Sequence, residues 1–140
     1  MDIRILRAGD EDVLARVAPD LFDNAVDPAL AAEFLSDPRH HIAVAIDTGV
    51  AVAFASGVDY VHPDKPRELW INEMSVARTH RERGLGKAVL RALLDHARAM
   101  GCANAWVLTH HTNEPAKKLY ASLEGKTMED GILGFEFDFK

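Results

Sequence analysis

Cysteine is nearly missing from this chain of 140 residues: Cys102 is the only one, so no internal disulfide can form and a cysteine metal cluster is excluded. Long apolar runs are missing too. No stretch nears the roughly 20 residues that a membrane span needs, and Met1-Asp2-Ile3-Arg4 opens a strand-like run without a signal-peptide core. Basic excess is absent: 16 Lys and Arg stand against 22 Asp and Glu, a formal charge of −6, which disfavours a nonspecific nucleic-acid binder and suits an approaching cation. Repeats, linkers and low-complexity tracts are not found. The expectation is a cytoplasmic protein with neither membrane nor nucleic acid as partner. Hydrophobic residues make up 48%, which argues against disorder, and the length predicts a single domain over residues 1–140 with one core.

The seven histidines do not form a metal motif. His40-His41 and His110-His111 are adjacent pairs at strand ends, and neighbouring strand residues point to opposite faces. No predicted helix carries two His at ligand spacing, so no metal is expected.

The hydrophobic pattern gives an order of elements. Ile3 to Arg7 reads as a strand, and Glu11 to Ala18 and Pro28 to Ser36 as helices, the second with Asp27 as its cap. His41 to Ile46 and Val50 to Tyr60 form a hairpin about Asp47-Thr48-Gly49, and a two-proline loop from Val61 to Pro66 leads to a strand at Arg67 to Val76. From Leu85 to Met100, Val89, Leu93, Ala97 and Met100 share one face, and Gly101 ends the helix. Ala103 to Thr109 is the next strand. A helix follows with Ala116, Leu119, Tyr120 and Leu123 along one stripe. After a turn at Asp130-Gly131, Leu133, Phe135, Phe137 and Phe139 alternate with Gly134, Glu136 and Asp138, the period of a half-buried last strand. The fold class is α/β (α+β), a mixed and largely antiparallel sheet.

Arg81-Glu82-Arg83-Gly84-Leu85-Gly86-Lys87 lies between the strand ending at Val76 and the long amphipathic helix. Free backbone N–H groups and the positive end of the helix dipole make such a turn a phosphate site. Cations at a helix N-terminus oppose the dipole, so their presence suggests an anion. A Walker loop is excluded, because Arg81 stands at its first glycine and Ala88 at its hydroxyl residue. A dinucleotide fingerprint is excluded as well, because Val89 stands at its third glycine.

The pattern Arg81-x-x-Gly84-x-Gly86 resembles the pyrophosphate-binding segment of the GCN5-related N-acetyltransferases. Leu69-Trp70-Ile71-Asn72-Glu73-Met74-Ser75-Val76 resembles the central strand preceding that loop, and Thr112-Asn113-Glu114-Pro115-Ala116-Lys117-Lys118-Leu119-Tyr120 resembles the family's later Asn-to-Tyr helix. Order and spacing agree, over most of residues 40–140. The chain departs from the family's Leu-Gly-Phe after the tyrosine, carrying Leu123-Glu124-Gly125-Lys126, which leaves the local turn open.

The resemblance implies a sheet of six to seven strands flanked by about four helices, and acetyl-CoA as co-substrate. It implies a cofactor site made of Met74, Ser75 and Val76, of Arg81, Glu82, Arg83, Gly84, Leu85, Gly86 and Lys87, and of Asn113. Asn113 also reads as a simple N-cap. Tyr120 is implied as general acid to the departing thiolate; by periodicity alone it is a core tyrosine. Glu73 interrupts an apolar strand, and partial burial would fit it for a general base, acting directly or through water; its alternative is a surface ion pair. The strand at Glu68 to Val76 looks most like the aminoglycoside 3-N-acetyltransferase branch, and the early acids Asp20, Asp23, Asp27 and Glu33 fall where an acceptor wall would form in that family, although their plainer and preferred reading is a solvated helical surface. The function so implied is acetyl transfer to a primary amine of a small molecule, aminoglycosides included. A noncatalytic acyl-CoA sensor and a protein or peptide N-acetyltransferase are the alternatives. A homodimer, common among relatives, stays open.

Overall fold

The computed structural model describes residues 1–128 and 132–139. Five strands form one sheet in the order β1 (Asp2–Ile5), β2 (His40–Asp47), β3 (Val50–His62), β4 (Lys65–Val76) and β5 (Asn104–Val107). The first three junctions are antiparallel and the last, β4 with β5, is parallel. Four helices accompany them: α1 (Glu11–Leu14), α2 (Pro28–Ser36), α3 (Leu85–Ala99) and α4 (Glu114–Ser122). The mixed, largely antiparallel class is as expected, with five strands among the described residues.

The core forms where α3 lies on the sheet. Leu85, Val89, Leu90, Leu93 and Ala97 make its buried stripe. Ala43, Ala45, Ala53 and Ala55, paired across β2 and β3, are fully buried, and such small side chains let a helix approach closely. On the opposite face Phe54 stacks on Phe22 with ring centroids 4.3 Å apart, which anchors the segment between α1 and α2.

Three expectations need correction. The first helix ends at Leu14 rather than Ala18, because the backbone of 16–18 is used elsewhere: Ala51 N–H donates to Arg16 and Ala18 N–H to the carbonyl of Ala51. Pro19 also disfavours helix at Ala18. The proposed loop 61–66 is the tip of a hairpin, with His62 opposite Lys65. Finally, residues 132–139 form no strand, and Phe135, Phe137 and Phe139 are exposed. Alternation specifies a strand only when a neighbour covers its apolar side, and among the described residues β5 pairs with β4 alone. The turn expected at Asp130-Gly131 lies outside the described residues.

Two departures from regular pairing shape the cleft. Ser56 pairs with Glu73 but Gly57 pairs with Ile71, so Asn72 is an extra residue in β4. This bulge turns Asn72 and Glu73 to the same side of the sheet, where strict alternation would separate them. In addition, β5 pairs only with Glu68 to Ile71, so the strands part and leave the outer edge of β4 from Asn72 to Val76 uncovered by β5.

Candidate active site

The loop from β4 to α3 is built to present N–H groups. Ala77 leads into a short 3₁₀ turn, Arg78–His80, and His80 holds it by bonding Asp47 at 2.7 Å and Thr79 at 2.7 Å. The bond to His80, seconded by Thr48, holds the Asp47 carboxyl below its usual range. On the other side Asp20 accepts the N–H of Arg78 at 2.9 Å, and that bond lowers the Asp20 pKa. Arg81 then donates from Nε to the carbonyl of Val76 at 3.2 Å, pinning the loop to the strand end.

Beyond this clamp the backbone is left-handed at Glu82 (φ 61°) and again at Gly84 (φ 76°). Alternating conformations of this kind make successive N–H groups converge into an anion-binding nest. Asp27 caps α2 and Asn113 caps α4 through their side chains, whereas Gly84 gives α3 no side-chain cap. The first intrahelical bond at this end is Ala88 N–H to Gly84, so the preceding N–H groups have no helical acceptor. Arg83 and Lys87 have no ion-pair partner among the described residues. A pyrophosphate fits this set of donors.

The two glycines act differently. Gly84 is needed for its positive φ and faces open space. A Cβ at Gly86 would meet Val76 Cγ2 at 3.6 Å and Leu119 at 3.7 Å, ordinary contact distances, so the start of α3 lies against β4 and α4 without the space itself demanding glycine. That contact also brings α4 beside the loop. Asn113 acts as an N-cap, accepting from Ala116 N–H at 3.1 Å, with its amide NH₂ left over for a ligand. Tyr120, half-buried on α4, packs on the core, and burial raises its phenol pKa.

Leu123-Glu124-Gly125 closes α4 with a Schellman pattern: Gly125 N–H bonds Tyr120 at 2.8 Å and Glu124 N–H bonds Ala121 at 3.0 Å. Glu124 occupies the left-handed position (φ 67°) usually taken by glycine. Gly125 follows because a Cβ there would lie 2.8 Å from the Tyr120 carbonyl. The turn left open by the sequence is therefore an ordinary helix stop displaced by one residue.

Glu73 is exposed, where partial burial was expected; the bulge swings it out of the strand plane and onto a cleft wall. It lines a cavity of about 360 Å³ between the sheet, α2 and residues 22–27. Of the early acids, Asp23 and Asp27 line this cavity, whereas Asp20 is bound to Arg78 and Glu33 lies outside the lining. Sequence reasoning missed Ser56 and Asn72. The signal was a lone hydroxyl in the apolar run Val50 to Val58, and two successive polar residues in β4.

Among the described residues no group of His, Cys, Asp and Glu is arranged to hold a metal, and no helix is long and apolar enough to cross a membrane. His110 and His111 are exposed beyond β5.

The model of the Acetyltransferase (GNAT) family matches residues 11–124. An L-2,4-diaminobutyric acid acetyltransferase from Virgibacillus pantothenticus is 30% identical over 88 residues, 63% of this chain and 54% of that protein. The chain thus aligns with about half the length of this curated relative. An aminoglycoside acetyltransferase from an uncultured soil metagenomic sample superposes with a TM-score of 0.79 at 22% identity, covering 99% of this chain and 98% of the other. AAC(6')-Iy, solved with the bisubstrate analogue CoA-S-monomethyl-acetylneamine, superposes at 0.77 and 22% identity, with 98% of each chain covered. At those identities the structural likeness is one of fold. The family match spans most of the chain, and with the uncapped, basic entry to α3 beside a parted β4 it has one reading: the chain belongs to the GNAT family of acetyltransferases.

Proposed function

We propose that this acetyltransferase moves an acetyl group from acetyl-CoA to a primary amine of a small molecule by direct attack on the thioester. The observation that carries the reading is a juxtaposition. The uncapped N-terminus of α3 with Arg83 and Lys87 follows directly on the open edge of β4, and the same strand carries Glu73 into a cavity. The N–H groups of Glu82 to Lys87 would hold the pyrophosphate, the edge from Met74 to Val76 the pantetheine arm, and Asn113 the arm's far side.

In this scheme Glu73 takes the proton of the attacking amine, directly or through one water. The amine nitrogen bonds to the carbonyl carbon as the carbon–sulfur bond breaks, and the Tyr120 hydroxyl protonates the leaving thiolate. A phenol is protonated at neutral pH, as an acid requires, and burial of Tyr120 moves its pKa further up. A cytoplasmic location, where acetyl-CoA is available, goes with this reading.

Release of free thiol from acetyl-CoA, followed with a panel of primary amines, tests the reading. Amine-dependent, saturable release supports it. Binding of acetyl-CoA with no release above the buffer rate, for every amine tried, contradicts it and points to an acyl-CoA sensor.

A further inference from the structure

The acetyl-transfer reading leaves the acceptor's chemistry open, and the cavity beside Glu73 narrows it. Its volume of about 360 Å³ is at the small end for ligand sites, which run from roughly 300 to 1,000 Å³. Much of its wall is apolar: Phe22, Leu30, Phe34 and Ile42 contribute rings and branched chains. A polyhydroxylated sugar ring would bring hydroxyls against these surfaces and leave them without partners, a cost of about 1–3 kcal/mol for each unpaired group. Methylene groups would gain from the same contact.

The polar groups are few and separate. Glu73 and Asn72 stand on the sheet side through the bulge in β4. Ser56, directly across from Glu73, is 8% exposed, and its hydroxyl has no hydrogen-bond partner among the described residues. Among the described residues no fully buried side-chain oxygen or nitrogen is left unpaired, so the Ser56 hydroxyl keeps some exposure, and Ser56 lines the cavity. Opposite the sheet, the wall 22–27 carries two carboxylates. Asp27 is engaged in capping α2 through Ala29 N–H at 2.8 Å and Leu30 N–H at 3.3 Å. Asp23 is exposed and has no ion-pair or hydrogen-bond partner among the described residues. The cavity therefore has a nucleophile end at Ser56, Asn72 and Glu73, an apolar middle, and one free anionic wall residue.

We propose that the acceptor is a compact aliphatic diamine: one amine is presented to the thioester between Ser56 and Glu73, the methylene spacer lies on Phe22, Phe34 and Ile42, and the second ammonium is held by Asp23. Asp23 is then the specificity-determining residue, and Ser56 a positioning residue that orients the attacking nitrogen. Only the acetyl group and one amine proton change partners; the second ammonium keeps its proton throughout.

The test compares putrescine, n-butylamine and a 2-deoxystreptamine aminoglycoside as acceptors, by thiol release, in the wild type and in Asp23→Asn and Asp23→Glu. The expected kcat/KM for putrescine exceeds that for n-butylamine by about tenfold or more, the size of one hydrogen-bonded charge contact. Asp23→Asn should raise the KM for putrescine more than it lowers kcat and reduce the preference about tenfold, and Asp23→Glu should keep most of it. Equal rates for diamine and monoamine, or an unaltered preference in Asp23→Asn, overturn the assignment. Faster turnover of the aminoglycoside than of putrescine also overturns it while acetyl transfer stands. Absence of thiol release with every acceptor removes the transfer reading and this inference with it.

Discussion

Glu73 shows how much a single residue reveals in sequence and how much it conceals. A carboxylate inside an apolar strand singles out a candidate, but its expected partial burial depends on strict alternation. The extra residue Asn72 breaks that alternation, and a bulge leaves no unambiguous trace in one sequence. Tyr120 reads as a core tyrosine by periodicity and as an acid by resemblance, the reading its spacing from Asn113 favours, and the structure shows a half-buried phenol compatible with both. Its replacement separates the roles. Tyr120→Phe keeps the ring and its packing, so acetyl-CoA affinity should stay within about twofold while kcat falls roughly 10²-fold, the lower bound for a lost general acid. Unchanged kcat in steady-state kinetics would return Tyr120 to the core. Asn113 was legible in full as a cap because its signal is local, an Asn followed two residues later by Pro at the helix start.

At the scale of elements, the segments with local signals were read closest to the structure. α2 starts at its Asp27-Pro28 pair, and α3 stops just before Gly101, as capping chemistry dictates. The hairpin between β2 and β3 turns through Thr48 and Gly49, both at positive φ, as a tight two-residue turn requires. What sequence could not supply was pairing. The apolar alternation at 133–139 lacks a strand partner, and the shortened α1 owes its end to bonds with a residue far along the chain. The α4 stop gives a prediction at this scale. Glu124 sits in the left-handed region, which costs a non-glycine residue about 1–2 kcal/mol. Glu124→Gly should raise unfolding stability by about 0.5–1 kcal/mol, the remainder being offset by glycine's freedom in the unfolded chain. Chemical denaturation measures it, and a loss of stability would contradict the geometry of this stop.

Across the molecule, side-chain polar networks hold order away from the cleft wall as well. Beside the core, His41 sits between Asp59 at 2.6 Å and His96 at 3.1 Å, with Arg67 on the far oxygen of Asp59 at 3.4 Å. Burial first, then the neighbouring His41 and Arg7, depress the His96 pKa below 6.5. The unfolded chain then binds a proton that the folded chain refuses, so stability falls as pH drops through 6.5 toward the lower folded value. His96→Gln should flatten that slope as pH falls below 6.5, whereas the contributions of Asp20 and Asp47, whose pKa values are depressed, fade only at more acidic pH. An unaltered pH slope in His96→Gln would contradict the assignment. The loop between β4 and α3 is also held, tied at Asp20, Asp47 and Val76. On this loop the cofactor reading rests, so the most direct measurement is thermal unfolding with acetyl-CoA, with ATP and NAD as controls. At ~100 times its dissociation constant a ligand stabilises by ~2.7 kcal/mol, a rise of roughly 5–10 °C for a domain of this size. The account predicts that rise with acetyl-CoA and none with NAD or ATP at equal concentration. A folded protein whose midpoint does not move with acetyl-CoA, or moves equally with all three, would contradict it.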